Sequence, residues 1–343
     1  MSANTVLVFM WLGVTAYALF AGADFGAGFW DLLAGDAATG APRRALIERV
    51  IGPVWEANHV WLIFVLVVLW TAFSPVFAAF ASTLTIPLTA AAIGIILRGA
   101  SFAFRKAVPG VPLKRLFGAA FAASSIITPF FLGAAAGGVA SGRVPLGNAN
   151  GNLVTSWLNP TSLLGGTLAV ATCAFLAAVF LCHDAEVRAE PELVDWFRAR
   201  AIAMGAIASV IVISAAWVLH ADSPRLFDGL TGRAGPVVAL SGVAGLGAMV
   251  LVARRRYVLA RGAAGLAVGS IVWAWAVAQY PYMLVPTVRI NDVAAPPAVL
   301  RATVISLAVG MVLIVPALVW LLALAQTPAS TSTSAASAGR RRA

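Results

Sequence analysis

The sequence predicts an all-α polytopic membrane protein, and three observations support that fold class. Of the 343 residues, 61% are hydrophobic and only 10% are charged, whereas a typical soluble domain carries about 25% charged residues. The mean hydropathy is +0.93. Long apolar stretches also recur along the whole chain, separated by Pro, Gly and charged residues. Because a bilayer core about 30 Å thick needs about 20 apolar residues per helix, these stretches predict about nine transmembrane helices.

The apolar stretches give the approximate position of each predicted helix. The nine spans lie near residues 6–34, 53–73, 76–104, 116–139, 160–182, 199–220, 235–253, 263–281 and 300–325. Residues 1–326 are therefore expected to form one transmembrane helical domain. Residues 327–343 are small and polar, without hydrophobic periodicity, and we expect a disordered cytoplasmic tail there.

The basic residues predict the orientation of these helices. With nine spans, 17 of the 23 Lys and Arg residues fall in connections on one side of the membrane, five fall on the other side, and Arg98 lies inside a span. Cytoplasmic connections of membrane proteins carry an excess of Lys and Arg. We therefore expect the N-terminus outside and the C-terminus in the cytoplasm, and the net charge of +10 indicates topology instead of nucleic-acid binding.

Three charged residues lie inside predicted spans, where an ionisable side chain is costly and marks a functional site by default. They are Asp24 in span 1, Glu56 in span 2 and Arg98 in span 3. At 1.5 Å per residue, all three lie roughly 10–15 Å below the cytoplasmic surface and could form one cluster. His59 lies one helical turn beyond Glu56. The cluster fits a proton relay open to the cytoplasm, or a packing ion pair that ties the first three spans together.

Metal and cofactor binding by this chain has little support in the sequence. There are only three histidines and two cysteines, without the spacing of a haem or metal site. No phosphate-binding or dinucleotide-binding glycine pattern is present. We therefore expect no metal or haem bound directly by this chain and assign it no catalytic residue.

Four segments make the sequence resemble a known family, subunit II of the cytochrome bd-type quinol oxidases. The third closes span 3 and the fourth follows span 8, so the resemblance reaches across most of the chain. The segments are Gly22-Ala-Asp-Phe-Gly-Ala-Gly28, Gly52-Pro-Val-Trp-Glu-Ala-Asn-His-Val-Trp-Leu62, Leu97-Arg-Gly-Ala-Ser-Phe-Ala-Phe-Arg105 and Tyr280-Pro-Tyr-Met-Leu-Val-Pro286. The pattern looks closer to the cyanide-insensitive branch.

The resemblance implies a subunit of a terminal oxidase in the bacterial cytoplasmic membrane. A partner, subunit I, would carry two b haems and haem d, oxidise quinol and reduce dioxygen to water. Protons would come from the cytoplasm, so that turnover generates proton-motive force. The second subunit would consist of two four-helix bundles plus one helix and ligate no haem. Family members also allow a small accessory subunit and a structural quinone.

The resemblance also implies roles for individual residues. The acids at Asp24 and Glu56 are associated with a proton path toward the haems, and Trp61 with a hydrophobic route for dioxygen. From its spacing, His59 is a candidate to extend the proton path, and Arg98 is the candidate charge partner. Many family members carry a further acid in span 1 where this chain has Ala21, so a relay through two acids in that span would here have only one.

Two other functions remain open at this point. A proton-coupled transporter could use Asp24, Glu56 and Arg98 as a binding site near a helix interface, and it would need no haem-bearing partner. A pure assembly scaffold would use the same charges only to dock helices.

Overall fold

The computed structural model describes residues 2–36, 38–107 and 111–326. Within these ranges, the side chains of residues 51–57, 105–107, 111, 112, 114, 318, 319 and 321–326 are not described. The predicted tail, residues 327–343, lies outside the described residues.

Long helices account for most of this part of the chain. In order, they are α1 (Ala3–Leu32), α2 (Ala41–Ala72), α3 (Ser74–Thr83), α4 (Thr85–Ala107), α5 (Val111–Ala140), α6 (Pro160–Val187), α7 (Pro191–Asp222), α8 (Pro224–Thr231), α9 (Gly235–Ala253), α10 (Tyr257–Gln279) and α11 (Pro297–Gln326). A short antiparallel hairpin, β1 (Tyr282–Leu284) and β2 (Val288–Arg289), and a 3-10 turn (Ile290–Asp292) connect α10 to α11.

The helical membrane fold predicted from composition is confirmed. Among the described residues, eight helices are long and apolar enough to cross a bilayer, namely α1, α4, α5, α6, α7, α9, α10 and α11. Helix α2 contributes a shorter apolar stretch, Asn58–Ala72. Helices α2 and α7 begin 12 and eight residues before the predicted spans at 53 and 199, because hydropathy detects only the apolar part of a helix.

One predicted span is divided in the structure. The stretch 76–104 forms two helices, α3 and α4, which meet at Leu84. A continuous helix would need a hydrogen bond from the backbone nitrogen of Pro87 to the Thr83 carbonyl, and proline has no N–H to donate. The hydroxyl of Ser156 donates to that carbonyl instead, at 3.3 Å. Pro87 then lies in the first turn of α4, where no such donor is needed.

The long helices pack in two groups of four. In the first group α1 contacts α2 and α5, and α4 packs on α5; in the second, α6, α7, α9 and α10 pack as neighbours. Helix α6 joins the groups through α1 and α5, and α11 lies against α2 and α1. This arrangement corresponds to the two four-helix bundles plus one helix implied by the family resemblance.

Helix α8 and the hairpin were absent from the sequence predictions. Apolar residues of α8, Leu226 and Leu230, pack against Ala234, Ala274 and Ala278. Hairpin residues Met283, Leu284 and Val288 belong to the core cluster that also contains residues of α1 and α2. Elements this short carry too little periodicity to be recognised in a sequence, and packing on the long helices stabilises them.

A buried ion pair as the candidate functional site

Asp24 lies in a segment of α1 where glycines let neighbouring helices approach on two faces. Its side chain is only 1% exposed. A Cβ atom added at Gly26 would lie 2.7 Å from the Ala177 Cβ of α6, and one added at Gly28 would lie 2.6 Å from Nη1 of Arg98. Small residues on a membrane helix permit this close contact, so the local sequence buries Asp24 between helices and not against lipid.

Arg98 of α4 is the charge partner of Asp24. Its Nη2 lies 2.6 Å from Oδ1 of Asp24, and the same nitrogen donates to the Asp24 backbone carbonyl at 2.8 Å. Both side chains are fully buried. Arg98 Nη1 donates to the hydroxyl of Ser125 in α5, and that hydroxyl donates to the Phe121 carbonyl at 2.6 Å. The guanidinium therefore joins α1, α4 and α5.

Two aromatic rings cover the guanidinium. The central carbon of Arg98 lies 4.2 Å from the ring centroid of Phe121 and 5.1 Å from that of Phe25. A cation over an aromatic face is attracted by the negative face of the ring, and more strongly when water is excluded. These rings shield the ion pair from lipid and solvent.

Asn58 of α2 completes the cluster. It is fully buried, and its Nδ2 donates to Oδ2 of Asp24 at 2.8 Å. Each carboxylate oxygen of Asp24 thus has a partner on a different helix, and the pair carries no net charge. A buried ion pair is tolerated when geometry is close and the remaining atoms are hydrogen-bonded.

Several buried polar atoms around this cluster have no hydrogen-bond partner among the described protein atoms. They are Tyr17 OH, Asn58 Oδ1, Trp61 Nε1, Arg98 Nε and Thr128 Oγ1. Tyr17 lies two turns before Asp24 on α1, and Trp61 lies one turn after Asn58 on α2. Because these two helices run in opposite directions, both residues lie displaced from Asp24 toward the membrane centre.

Thr128 extends this set of atoms in the same direction. It follows Ser125 by one turn on α5, and it packs beside Gly94, which precedes Arg98 by one turn on α4. Buried polar groups in proteins are nearly always satisfied by protein or by ordered water. The unpartnered atoms therefore mark a polar strip from the ion pair toward the middle of the membrane.

The structure places the predicted site residues unequally. Asp24 and Arg98 lie together, as the depth estimate suggests. The side chain of Glu56 lies outside the described residues. His59 is half-buried on α2, and Asn58 is the α2 residue that contacts Asp24. Trp61 is 7% exposed, with its ring centroid 6.0 Å from that of Phe64.

Sequence reasoning missed Asn58 and Ser125. It weighed only ionisable side chains inside spans, whereas both of these residues are neutral. Their signal was present, because an amide or a hydroxyl within an apolar stretch can hydrogen-bond across to another helix. Across the described residues, no group of three or more His, Cys, Asp or Glu side chains is placed to hold a metal ion.

Fold and site together define a class of protein: an α-helical integral membrane protein built around a desolvated ion pair between its first helices. The family model described as cytochrome bd terminal oxidase subunit II matches residues 3–325. The chain therefore belongs to the cytochrome bd terminal oxidase subunit II family, as the sequence resemblance predicted. That family supplies one subunit of a terminal quinol oxidase, a quinol:oxygen oxidoreductase of the bacterial cytoplasmic membrane whose complex includes a subunit I and haem.

Individual proteins agree with this assignment. Cytochrome bd ubiquinol oxidase subunit 2 of Bacillus subtilis (strain 168) is 31% identical over 155 residues, which is 44% of each chain. A putative cytochrome bd menaquinol oxidase subunit II from the same organism is 22% identical over 90% of each chain. A bd oxidase structure from Geobacillus thermodenitrificans superposes with a TM-score of 0.76 at 22% identity, covering 94% of this chain and 98% of that one. The last likeness establishes the fold.

Proposed function

We propose that this chain is the non-haem subunit II of a quinol oxidase and supplies part of its proton path. With a subunit I that carries two b haems and haem d, it would couple quinol oxidation to the reduction of dioxygen to water. Protons would be taken from the cytoplasm, which generates proton-motive force. The observation that carries the proton-path role is the buried Asp24–Arg98 pair, hydrogen-bonded to Asn58 and continued by unpartnered polar atoms.

The charges of the pair support a transient proton site. Arg98 balances the Asp24 carboxylate, so the two charges are tolerated away from water, and a proton that reaches Asp24 would be held only transiently. Once Asp24 is protonated, Arg98 becomes an uncompensated buried charge, which is strongly unfavourable. The uncompensated charge of Arg98 favours release of the proton toward the polar strip. Water bound to Tyr17 and Thr128 would continue the path there. Glu56 and His59 are proposed to feed protons to Asp24 from the cytoplasmic end.

Two further parts of the proposal concern small molecules and partners. The buried ring of Trp61, packed on Phe64, is proposed to line a hydrophobic route for dioxygen. Quinol would bind elsewhere in the complex, and a structural quinone and a small accessory subunit are compatible with the family; no residues are assigned to them. A proton-coupled transporter has no specific observation in its favour once the family is known.

The proposal is tested by Asp24→Asn in the oxidase purified from its own membrane. We expect a less stable complex that still assembles with normal haem bands in reduced-minus-oxidised spectra, but with oxygen consumption at least about tenfold slower, because general acid–base groups contribute factors of this size or larger. Asp228→Asn, an exposed carboxylate at the opposite end of the molecule, is the matched control and should keep full activity.

Each other outcome has a defined meaning. Loss of haem from the Asp24→Asn complex would support the scaffold function. Full turnover with full haem would remove Asp24 from the proton path. Purification of the wild-type chain without a haem-bearing partner would contradict the oxidase function itself.

A further inference from the structure

Two arginines share one tryptophan ring at the arginine-rich end of the helices. The guanidinium carbon of Arg200 lies 3.3 Å from the ring centroid of Trp196 on α7, and that of Arg43 on α2 lies 4.7 Å from it. The two cationic groups are therefore no more than about 8 Å apart. All three side chains are half-buried. Trp30 of α1 packs edge-on against Trp196 with centroids 6.2 Å apart, so the cluster spans both helix groups.

Neither arginine has a carboxylate at ion-pair distance among the described residues. The nearby acids are engaged elsewhere: Asp195 pairs with Arg255 at 2.8 Å, and Asp31 lies 3.7 Å from Arg44. This leaves two like charges close together and partly removed from water, which is unfavourable without an anion between them.

The hydrogen-bonding capacity of the pair is also largely unused. Arg43 Nη1 donates to the Ala34 carbonyl at 2.7 Å, and Arg200 Nη1 donates to the Trp196 carbonyl at 3.0 Å. A guanidinium carries five N–H donors and no acceptor, so most donors remain free for a ligand. The group that would satisfy these free donors is therefore an anion with several acceptor oxygens.

The N-terminus of α2 adds positive potential beside Arg43. Helix α2 begins at Ala41, two residues before Arg43, and has no side-chain cap. The first backbone N–H groups of a helix are unpaired and carry about half a positive charge. Together with the arginine pair, this helix end makes a basic site at the surface between membrane helices, and basic sites on the cytoplasmic side bind acidic lipid head groups.

The geometry points to a binding site for the phosphate of an acidic phospholipid, held between Arg43 and Arg200 beside Trp196. Charge-assisted N–H···O bonds to phosphate are about 2.7–2.9 Å long, so one phosphate at the edge of the Trp196 ring can contact both guanidinium groups, whose central carbons are at most about 8 Å apart. Trp196 lies five residues after the start of α7, at the level where tryptophan favours the membrane interface. The lipid would join the first helix group to the second at this end.

The test is a lipid titration followed by native mass spectrometry of the complex purified from its own membrane. Phosphatidylglycerol is compared with phosphatidylcholine for the wild type, Arg43→Gln, Arg200→Gln and the control Arg254→Gln, which removes an exposed arginine from the same side. We expect selective phosphatidylglycerol binding by the wild type and control, and at least about fivefold weaker binding in each site variant, the factor associated with one basic residue near an anionic surface.

Controls separate lipid binding from folding. Arg43→Lys and Arg200→Lys keep the charge and should retain most of the binding, and high salt should weaken binding in the wild type without any substitution. Equal affinity in the wild type and the Gln variants would overturn the inference, as would equal binding of the two lipids. Displacement by inorganic phosphate at similar concentration would identify a free-phosphate site instead. A wild-type complex that binds no phosphatidylglycerol would also overturn the inference.

Discussion

At the scale of single residues, the Asp24–Arg98 pair is held by geometry more than by Coulomb attraction alone. Taking two charges out of water is costly, and their attraction repays this only when the geometry is close and further hydrogen bonds support both groups. Here the carboxylate meets Arg98 on one oxygen and Asn58 on the other. The pair therefore specifies how α1, α2 and α4 meet, and its loss should lower the free energy of unfolding as much as a packing defect does.

The coupling between the two charges is measurable by a double-mutant cycle. Asp24→Asn alone leaves Arg98 as an unpaired buried cation and should lower the free energy of unfolding by about 3–5 kcal/mol. Arg98→Gln alone should cost a similar amount. The double variant Asp24→Asn/Arg98→Gln should be more stable than the sum of the single losses predicts, because neither charge is then left alone. Denaturation of the detergent-solubilised chain measures all four; additivity within about 0.5 kcal/mol would contradict the coupling.

The sequence predicted part of this site. Depth along separate helices, estimated from the rise per residue, placed Asp24 and Arg98 at one level, and the structure brings them into contact. The sequence could not reveal that Asn58 is the hydrogen-bond partner of Asp24 and Ser125 that of Arg98. Neutral polar residues satisfy each other, the backbone or water with similar energies, so only the packing of the helices selects the partner.

At the scale of elements, the contact of α1 with α6 depends on a residue without a side chain. Gly26 packs directly against the backbone carbonyl of Cys173, with the Ala177 Cβ beside it. Neither a backbone carbonyl nor a helical alanine can move without shifting α6.

Gly26→Ala should therefore destabilise the protein. We expect a loss of about 1–3 kcal/mol from overpacking, measured as a lower thermal unfolding midpoint in detergent. The matched control is Gly247→Ala in α9, where an added Cβ meets nothing within 4 Å. That variant should be neutral or slightly stabilising, since alanine is the better helix former by about 1 kcal/mol. Equal effects of the two substitutions would mean that the α1–α6 approach is not tight.

A partly buried cluster joins the start of α6 to the end of α7. Asp222 accepts from both Nη atoms of Arg143, at 2.7 and 3.1 Å, and from the hydroxyl of Thr161 at 2.6 Å. The carboxylate thus ties the end of α7 to the start of α6 and to the loop before it.

Asp222→Asn should weaken that connection. Hydrogen bonds to charged groups contribute about 1.5–3 kcal/mol each, but partial exposure of this pair reduces the value, so we expect a loss of about 1–2 kcal/mol. Limited proteolysis of the loop around residues 143–159 should become faster. Asp228→Asn is again the control, and proteolysis at unchanged rate in Asp222→Asn would exclude the proposed connection.

Helix positions were predictable from the sequence, but helix ends and interruptions were less so. Apolar runs locate a span because a helix in the bilayer core must be apolar. Helices α2 and α7, however, extend beyond their apolar runs into polar sequence. The interruption at Leu84 follows from Pro87, which the sequence shows, but the group that satisfies the freed Thr83 carbonyl is a loop residue, Ser156, far along the chain. No local pattern identifies that donor.

At the scale of the whole molecule, the distribution of Lys and Arg predicts the orientation in the membrane. The ends that carry Arg43 and Arg200 would face the cytoplasm, and the loop between α5 and α6 would face outward. Orientation also decides on which side the proton path begins, so it is central to the proposed function.

Cysteine labelling tests this orientation. Asn148→Cys, in the loop after α5, should react with a membrane-impermeant maleimide in spheroplasts whose membrane is intact. Glu192→Cys, at the start of α7, should react only after the membrane is permeabilised. Both positions are exposed, whereas the native Cys182 is buried and Cys173 is half-buried within α6. The reverse pattern would show that the chain is inverted.

The sequence by itself determined the membrane environment, the approximate helix positions, the predicted sidedness and the family, because each depends on composition or on local order along the chain. Tertiary structure decided which residues surround the buried charges, which donor satisfies the carbonyl at the broken span, and that Arg43 meets Arg200 on one tryptophan. These features depend on contacts between residues far apart in sequence, selected by the shapes of packed helices. The sequence pattern of one helix does not determine which helix packs against it.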